Sequence, residues 1–264
     1  MTNTREKFIP SREHFVDKIV PKLNFPPVAE DICDYYSLTM EELETLYDNF
    51  KIGAQNQDLI DHWHSLTPDP NDSKEVAKVY EQSDWGYVLE QAFSDRASYG
   101  KYKRCRPYIK GDKLLDYGTA VGNLALYFHD LKQLNVTAAD LKSPHFELAK
   151  YRFKKYAPDI EPLEIDPENP PVGGWNTIVC LDVLEHVPNW KRVLESFSAS
   201  QTGKDRLILK ICFGRHGKVS LHISEQNGLL PDVVRSEIKS SNYRIIHEKM
   251  DNPNNIFFVC EKTD

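Results

Sequence analysis

The chain has 264 residues, a formal net charge of -7, 40% hydrophobic residues and a mean hydropathy of -0.54. This length allows a full α/β domain with an additional segment, and the hydrophobic content allows a sizeable core. The negative charge argues against binding to nucleic acid, and no apolar run reaches the roughly 18 residues of a membrane span. The first residues lack the apolar segment of a secretory signal, so we predict a cytoplasmic protein without a membrane segment.

Helical signals dominate the first 100 residues or so. In the segment 37–50, Thr39 and Glu42 have the spacing of a capping box, and Leu43 and Leu46 begin an apolar repeat at helical spacing. This pattern predicts an amphipathic helix.

A proline-containing segment, residues 64–73, is interpreted as a linker. Two more helices are predicted after it, at 74–82 and 85–97. We therefore interpret residues 1–100 as a helical N-terminal cap or lid that precedes an α/β domain at 101–264.

From residue 113 onward, the pattern changes to short apolar strands that alternate with helices. The predicted strands are 113–117, 136–140, 162–165, 176–182, 206–212, 243–249 and 256–262. Helical stretches separate the first five strands, which predicts a largely parallel sheet covered on both faces. Only a short turn separates the last two strands, so we expect them to form an antiparallel hairpin at one edge. Tyr127 and Phe128, on the first helix of this domain, are predicted to be core residues.

The five cysteines, at positions 33, 105, 180, 212 and 260, are odd in number and form no C-x-x-C pair. Neither a disulfide framework nor a structural zinc site is favoured by this pattern. We expect reduced thiols that are mainly buried.

The turn DYGTAVGN follows the first predicted strand, at the place where open α/β sheets bind ligands. A dinucleotide site would have the spacing G-x-G-x-x-G around a pyrophosphate. Here the strand ends in Asp116, and Gly118, Ala120 and Gly122 follow at alternating positions. A carboxylate beside a phosphate is repulsive, so the turn favours a ligand that carries positive charge.

Four motifs, in order, resemble those of class I S-adenosylmethionine-dependent methyltransferases, in the subgroup that includes quinone and other small-molecule methyltransferases. They are the turn at 116–122, VTAADLK at 136–142, LEIDPENPP at 163–171 and WNTIVCLDVLEHVPNW at 175–190. The resemblance covers residues 113–262 and implies a Rossmann-like seven-stranded sheet with an antiparallel C-terminal edge hairpin. It also implies S-adenosylmethionine as the cofactor, whose sulfonium and ammonium groups suit a carboxylate at the end of the first strand.

The resemblance implies a set of cofactor contacts: Asp116, Gly118, Gly122, Asp140, Leu141, Asp166, Leu181 and Asp182, with Arg96 and Tyr99 from the segment before the first strand. In this assignment Asp140 accepts hydrogen bonds from the ribose hydroxyls and Asp166 from the adenine amino group. Asp140 alone does not choose the cofactor, because dinucleotide folds place an acid there too. Tyr87 is a further lid candidate, and ordinary helix packing is the alternative role of the lid residues.

Two positions depart from the family pattern. Ala120 replaces the usual middle glycine of the turn. Pro167 stands where the family often offers a backbone N–H to the adenine ring, and proline has none.

Methyl transfer is an in-line displacement that depends mainly on holding donor and acceptor in position away from water. An acceptor hydroxyl or ammonium also needs a base. His186 is the leading candidate, because the resemblance places it near the acceptor pocket, and a backbone hydrogen bond is its alternative role. His216 and His222, on the loop after the fifth strand, are further candidates that could equally be solvated loop residues.

No metal is predicted, because the fifth strand ends without the acidic or amide side chain used by catechol-type relatives. His62 and His64 are two residues apart and do not share a helix face, so we interpret their segment as surface or lid. The leading hypothesis is methylation of an O, N or C atom of a small molecule enclosed by the lid. The alternatives are a tRNA or protein methyltransferase that docks through the basic clusters at 101–113 and 150–155, and a cofactor-binding scaffold without catalysis.

Overall fold

A computed structural model describes residues 28–49, 57–66, 68–83, 85–93, 98–132, 134–213, 228–252 and 254–264. Its α-helices are α1 (Val28–Tyr36), α2 (Met40–Asn49), α3 (Gln57–Leu66), α4 (Ser73–Glu81), α5 (Trp85–Phe93), α6 (Ser98–Cys105), α7 (Asn123–Lys132), α8 (Pro144–Tyr156), α9 (Trp190–Ala199) and α10 (Pro231–Ser240). Its strands are β1 (Lys113–Tyr117), β2 (Asn135–Asp140), β3 (Glu161–Glu164), β4 (Thr177–Leu181), β5 (Arg206–Cys212), β6 (Tyr243–Asn252) and β7 (Asn255–Lys262). Short 3-10 helices occupy Arg106–Tyr108 and Leu184–His186.

These strands form one sheet in the order β3-β2-β1-β4-β5-β7-β6. The pairs from β3 to β5 are parallel, whereas β7 pairs antiparallel with both β5 and β6. The predicted α/β fold with its antiparallel C-terminal hairpin is therefore confirmed. Because the chain moves from β3 back to the other side of β1, the crevice of the sheet opens at the carboxyl ends of β1 and β4.

The sheet is buried on both faces, which explains why its central strands are almost continuously apolar. On β1, the side chain of Leu115 belongs to a core cluster with Phe197 of α9, whereas Leu114 belongs to a second cluster with Phe128 of α7. Tyr127 and Phe128 are 1% and 0% exposed, so their predicted place in the core is confirmed.

The predicted cap on α2 is present. Glu42 Oε2 accepts a hydrogen bond from the Thr39 backbone N–H at 2.7 Å, and Thr39 Oγ1 accepts one from the Glu42 N–H at 3.2 Å. The segment 64–73 differs from the predicted linker, because α3 continues to Leu66. Asp72 then caps α4 by accepting from two backbone N–H groups, and its own N–H donates to the Asp69 carbonyl at 3.0 Å, so residues 69–72 form a turn.

Four of the five cysteines are buried free thiols, and Cys33 is partly exposed. Burial raises the pKa of the Cys105 and Cys212 thiols to about 12. The expectation of reduced, mainly buried thiols is confirmed, and the raised pKa values make these side chains poor nucleophiles.

Three of the N-terminal helices, α1, α2 and α5, pack on the α/β domain through one apolar cluster. Ile32 of α1, Leu43 of α2 and Leu89 of α5 lie in this cluster together with Val121 and Leu148, which belong to the turn after β1 and to α8. These three helices therefore lie directly on the elements that carry the cofactor motifs.

A buried ion pair lies beside this cluster. Arg152 of α8 is 0% exposed, and its Nε donates to Asp31 Oδ2 at 2.8 Å. Its Nη1 donates to the Val121 carbonyl and, at 2.6 Å, to Asn123 Oδ1. Asp31 also accepts from the Tyr156 hydroxyl. A buried charge pair is tolerated only when such hydrogen bonds satisfy both partners, so this set of contacts acts as a unit.

We predict that Arg152→Ala lowers the free energy of unfolding by about 3–5 kcal/mol, because it leaves the carboxylate of Asp31 buried without its main partner. Denaturant unfolding followed by circular dichroism measures the change. Arg244→Ala is the matched control. It removes an exposed arginine that pairs with Glu261, and we expect a change below about 1 kcal/mol. An equal decrease of the free energy of unfolding in the two variants would contradict the prediction.

Candidate active site

Two adjoining cavities lie at the carboxyl ends of the parallel strands. The turn cavity has a volume of about 260 Å³, and its lining includes Lys101, Tyr102, Asp116, Thr119, Asn123 and Leu181. The cap cavity has a volume of about 130 Å³, and its lining includes Val76, Tyr80, Tyr87, Asp140, Leu141, His145, Ile165, Pro167 and Asn189. Five residues line both cavities: Gln91, Gly118, Ala120, Asp182 and His186. Helices α4 and α5 form one wall of the cap cavity, and the strand ends form the other.

The turn after β1 has a left-handed backbone at alternate positions. The φ angles of Gly118, Ala120 and Gly122 are 79°, 51° and 82°. This conformation costs an alanine about 1–2 kcal/mol, whereas glycine adopts it freely. The Ala120 N–H donates to Asp140 Oδ2 at 2.7 Å, which helps to hold the strained residue. The departure from the family's glycine is thus accommodated without a change in the form of the turn.

The two glycines of the turn meet different neighbours. A Cβ atom on Gly118 would lie 2.3 Å from a methyl carbon of Val183, at the boundary of both cavities. A Cβ atom on Gly122 would lie 2.6 Å from the ring of Phe153 on α8. Gly118 therefore belongs to the cavity walls, whereas Gly122 allows close packing between the turn and α8 and is not among the lining residues of either cavity.

Asp116 and Asp140 end neighbouring strands and lie on either side of this turn. The Asp116 side chain is buried, and its Oδ2 accepts from the Thr119 hydroxyl at 2.6 Å. The Oδ2 atom of Asp140 accepts a hydrogen bond from the Ala120 backbone N–H, and its Oδ1 atom accepts one from the Leu141 backbone N–H at 2.7 Å. Because each carboxylate oxygen has two lone pairs, Asp140 can still accept hydrogen bonds from a ligand in the cap cavity.

Asp182 follows β4 with a φ angle of 57° and lies between two lysines. Its side chain pairs with Lys101 of α6, 2.6 Å away, and with Lys210 of β5. Burial alone would raise the pKa of the Asp182 carboxyl, but the two ammonium groups outweigh it and lower the pKa below its usual value. Leu181 and Asp182 thus lie in the cavity walls as predicted, and Lys101 brings a cation from the segment before β1 to the same place.

Glu185 and His186 are neighbours in the 3-10 helix after β4 but lie in different surroundings. Glu185 is 0% exposed, and its Oε1 accepts from the Cys212 backbone N–H at 3.0 Å. Burial, and after it the charge of Asp182, raise the pKa of Glu185 to about 8. His186 lines both cavities, and its ring centroid lies 6.3 Å from that of Tyr80. The structure therefore brings His186, and not Glu185, to the cavity walls.

Asp166 does not line either cavity, although its neighbours Ile165 and Pro167 line the cap cavity. The exposed Asp166 side chain closes a turn by accepting from the Glu168 backbone N–H at 2.9 Å and from Asn169 Nδ2 at 2.8 Å. These hydrogen bonds, that of the Asn169 side chain first, lower the pKa of the carboxyl. The structure thus places the acid expected at the adenine away from the cavity.

Arg96, His216 and His222 lie outside the described residues, and so does the side chain of Tyr99, although its backbone belongs to α6. Their proposed roles stay predictions. Several other residues of the cavity walls are not predicted from the sequence, among them Tyr80, Lys101 and Asn189. Lys101 lies within a basic run in the sequence, which is the one signal that could have identified it.

The two basic clusters are extensively paired with acids of the same chain. In the first, Lys101 pairs with Asp182 and Arg104 with Asp251, both at 2.6 Å. The second cluster contributes three more pairing residues, Lys150, Arg152 and Lys155, whose partners are Glu147, Glu164, Asp31 and Asp34. Much of the positive charge that the sequence offered for nucleic acid is therefore neutralised internally.

Within the described residues, no group of three or more histidine, cysteine or acidic side chains could hold a metal ion. In the same part of the chain, no helix is long and apolar enough to cross a membrane.

Residues 56–209 match the family model of the methyltransferase domain. The match covers more than half of the chain, so the protein belongs to this methyltransferase family. The resemblance drawn from the four motifs to class I S-adenosylmethionine-dependent methyltransferases is thereby confirmed, and with it the enzyme class and the cofactor. A search of curated proteins found no match.

Solved structures with the same fold share little sequence with this chain. A phosphoethanolamine N-methyltransferase of Haemonchus contortus has a TM-score of 0.58 at 13% identity, over 73% of this chain and 60% of that one. A 1,6-didemethyltoxoflavin N1-methyltransferase of Burkholderia thailandensis has a TM-score of 0.53 at 11% identity, over 78% of this chain and 91% of that one. The [4+2]-cyclase SpnF has a TM-score of 0.52 at 12% identity, over 81% of this chain and 97% of that one. At these identities the likeness concerns the fold alone.

The buried carboxyl of Glu185 predicts a pH-dependent stability. Its pKa rises from the usual 4.5 to about 8 on folding, so between these values the folded protein binds more protons than the unfolded chain. The contribution of this group to stability is therefore fully present below about pH 4.5 and is lost as the pH rises towards 8. Glu185→Gln, which cannot ionise, should lose less stability than the wild type between pH 5 and pH 8.

Urea unfolding of both proteins at pH 5, 6.5 and 8 measures this difference. Other titrating groups, apart from Asp182, whose charge acts on Glu185, are common to the two proteins and cancel in the comparison. An identical pH dependence would mean that the carboxyl does not titrate in this range.

Proposed function

We propose that the protein transfers the methyl group of S-adenosylmethionine to an O, N or C atom of a small molecule held between the sheet edge and the helical cap. The observation that carries this proposal is the position of the two adjoining cavities at the strand ends, where α4 and α5 line the cap cavity and α5 and α6 line the turn cavity. The division into a cap at 1–100 and a cofactor-binding domain at 101–264 is part of the proposal. A cytoplasmic location stays a prediction from the sequence.

The charges at the site suit this donor, which carries an ammonium, a sulfonium and a carboxylate group. The buried carboxylate of Asp116 lies in the turn cavity and would stabilise the ammonium group. Lys101 lies in the same wall and would pair with the carboxylate group. Asp140, in the cap cavity, has free lone pairs for the ribose hydroxyls. When bound, the cofactor supplies a methyl group activated by the positive sulfur.

Methyl transfer also requires that the acceptor is positioned against the donor, that water is excluded and that a proton is removed from the acceptor. Val76 and Tyr80 of α4 pack with Leu141 and Tyr87, so the cap closes over the segment after β2. His186 lies at the junction of the two cavities, where its imidazole would take a proton from an acceptor hydroxyl or ammonium. An acceptor small enough to be enclosed fits this arrangement better than a macromolecule.

The two alternatives have weaker support. A tRNA or protein acceptor would need a docking surface, and the basic clusters are largely engaged with Asp182, Asp251, Asp31 and other acids of the chain. A gel-shift experiment with bulk tRNA at moderate salt tests this alternative directly. A cofactor-binding scaffold without catalysis is not favoured either, because the chain belongs to the methyltransferase family.

Calorimetric titration with S-adenosylmethionine and S-adenosylhomocysteine tests the donor, and incubation with labelled S-adenosylmethionine and fractionated metabolites tests the transfer. We expect binding of both compounds and label in at least one small-molecule fraction. Failure to bind either compound would refute methyl transfer altogether. Binding without label in any fraction would favour the scaffold, and label in tRNA would favour the macromolecular acceptor.

We predict that Asp140→Ala weakens binding of S-adenosylhomocysteine by about 1–3 kcal/mol, because hydrogen bonds to an ionised acceptor are lost. Calorimetry measures the affinity, and circular dichroism checks that the variant is folded. Asp159→Ala, which removes an exposed carboxylate paired with His129, is the control and should bind normally. Unchanged affinity in a folded Asp140 variant would refute its assignment.

For His186→Ala we predict that turnover falls about 100-fold or more while cofactor affinity is kept, as the loss of a general base requires. Turnover is measured with the acceptor found in the labelling experiment, over a range of pH. His129→Ala, a histidine outside the lining of both cavities, should leave turnover unchanged. If turnover of the His186 variant is close to that of the wild type, this residue is not the base.

A further inference from the structure

The adenine end of the cap cavity lacks both groups that the family resemblance assigns to it. Asp166 is exposed and uses its carboxylate for the Glu168 N–H and the Asn169 side chain. Pro167, which lines the cavity, has no backbone N–H to donate. Recognition of the base therefore has to come from another residue near the end of β3.

Asn189 lies at this end of the cap cavity, together with Ile165 and Pro167. Its Nδ2 donates to the Pro167 carbonyl at 2.9 Å. A carbonyl oxygen only accepts hydrogen bonds, so the amide nitrogen has to be the atom that faces Pro167. This contact fixes the orientation of the amide and leaves Oδ1 as the free end.

The Oδ1 atom of Asn189 is buried and has no hydrogen-bond partner among the residues that the structure describes. Asn189 precedes α9 as its N-cap residue, a position where asparagine usually accepts from a backbone N–H of the first turn, but its side chain makes no such bond. A buried acceptor without a donor is costly. The side chain thus does not cap the helix, and a residue that lines the cap cavity carries an unsatisfied acceptor.

We propose that Asn189 Oδ1 accepts a hydrogen bond from the exocyclic 6-amino group of the adenine base, the role that the family resemblance gives to Asp166. The inference rests on the proposed function, because it concerns the same cofactor. The 6-amino group is a donor and satisfies the buried acceptor. A 6-oxo base presents an acceptor at the same position and leaves two acceptors facing each other, so Asn189 makes the site specific for adenine.

Two other buried polar atoms of the cap cavity, Tyr80 Oη and His145 Nδ1, also have no partner within the described part of the chain. The Nε2 atom of His145 lies 2.9 Å from Ser143 Oγ and 3.7 Å from Asp140 Oδ1. Tyr80 lies on the cap and contacts the ring of His186. In the proposed function His145 is therefore next to the acid assigned to the ribose and Tyr80 next to the proposed base, which leaves Asn189 for the adenine.

Calorimetric titration with S-adenosylhomocysteine and with S-inosylhomocysteine, its 6-oxo counterpart, tests this assignment. The wild type should prefer the adenosyl compound by about tenfold or more. Asn189→Ala should bind the adenosyl compound about fivefold to tenfold more weakly, and the inosyl compound equally well or better, so that the preference is lost. Asn189→Ser keeps a good N-cap residue but shortens the side chain, and it should behave in the same way.

Asp166→Ala and Tyr80→Phe are the matched controls. The first removes the acid that the sequence favours, and the second removes another unpartnered polar atom of the same cavity, so both should keep the preference for adenine. An equal loss of affinity for both compounds in the Asn189 variants would indicate a merely structural residue and overturn the proposal. Loss of the preference in Asp166→Ala would overturn it in favour of the acid. If the wild type binds neither compound, the proposed function itself fails.

Discussion

The buried guanidinium of Arg152 binds three parts of the fold at once. From α8 it reaches Asp31 of α1, the carbonyl of Val121 and the side chain of Asn123. Val121 belongs to the turn after β1, whose backbone is held in a left-handed form at Gly118 and Ala120, and Asn123 begins α7 directly after that turn. A turn of this kind is locally unfavourable, and neighbouring groups have to hold it in place. Here α8 provides one contact and the acid at the end of β2 provides the other, so the cofactor turn depends on residues distant from it in sequence.

The fold and the cofactor could be predicted from the sequence because their signals are local. The spacing of apolar residues and the turn residues between segments define each strand and helix. The order of the strands follows from the helices between them. A residue at the carboxyl end of a parallel strand lies at the ligand-binding edge of the sheet, and Asp116 and Asp140 line the cavities at that edge. Leu181 and Asp182 follow the same rule.

The parts that could not be predicted depend on side-chain direction or on contacts between distant residues. Asp166 comes after β3 as expected, but its carboxylate caps its own turn instead of facing the cavity. The pairing of Lys101 with Asp182 joins positions 81 residues apart. In the sequence, Asn189 is only one residue of a segment that leads into a helix. Its contact with Pro167 depends on the three-dimensional positions of two separate loops. Patterns along the chain carry no information on such pairs.

The position of the cap has a consequence for how such an enzyme could change its substrate. The cavity walls contributed by α4 and α5 come from a part of the chain that precedes the sheet, whereas Asp116 and Asp140 belong to β1 and β2. In the proposed function, the helices that enclose the acceptor and these two acids of the donor site are thus encoded in separate stretches of sequence, so the helices can diversify while the acids are kept. Asp31 is an exception to this independence, since an exchanged N-terminal segment that lacked it would leave the charge of Arg152 without its acid and disturb the donor site from outside.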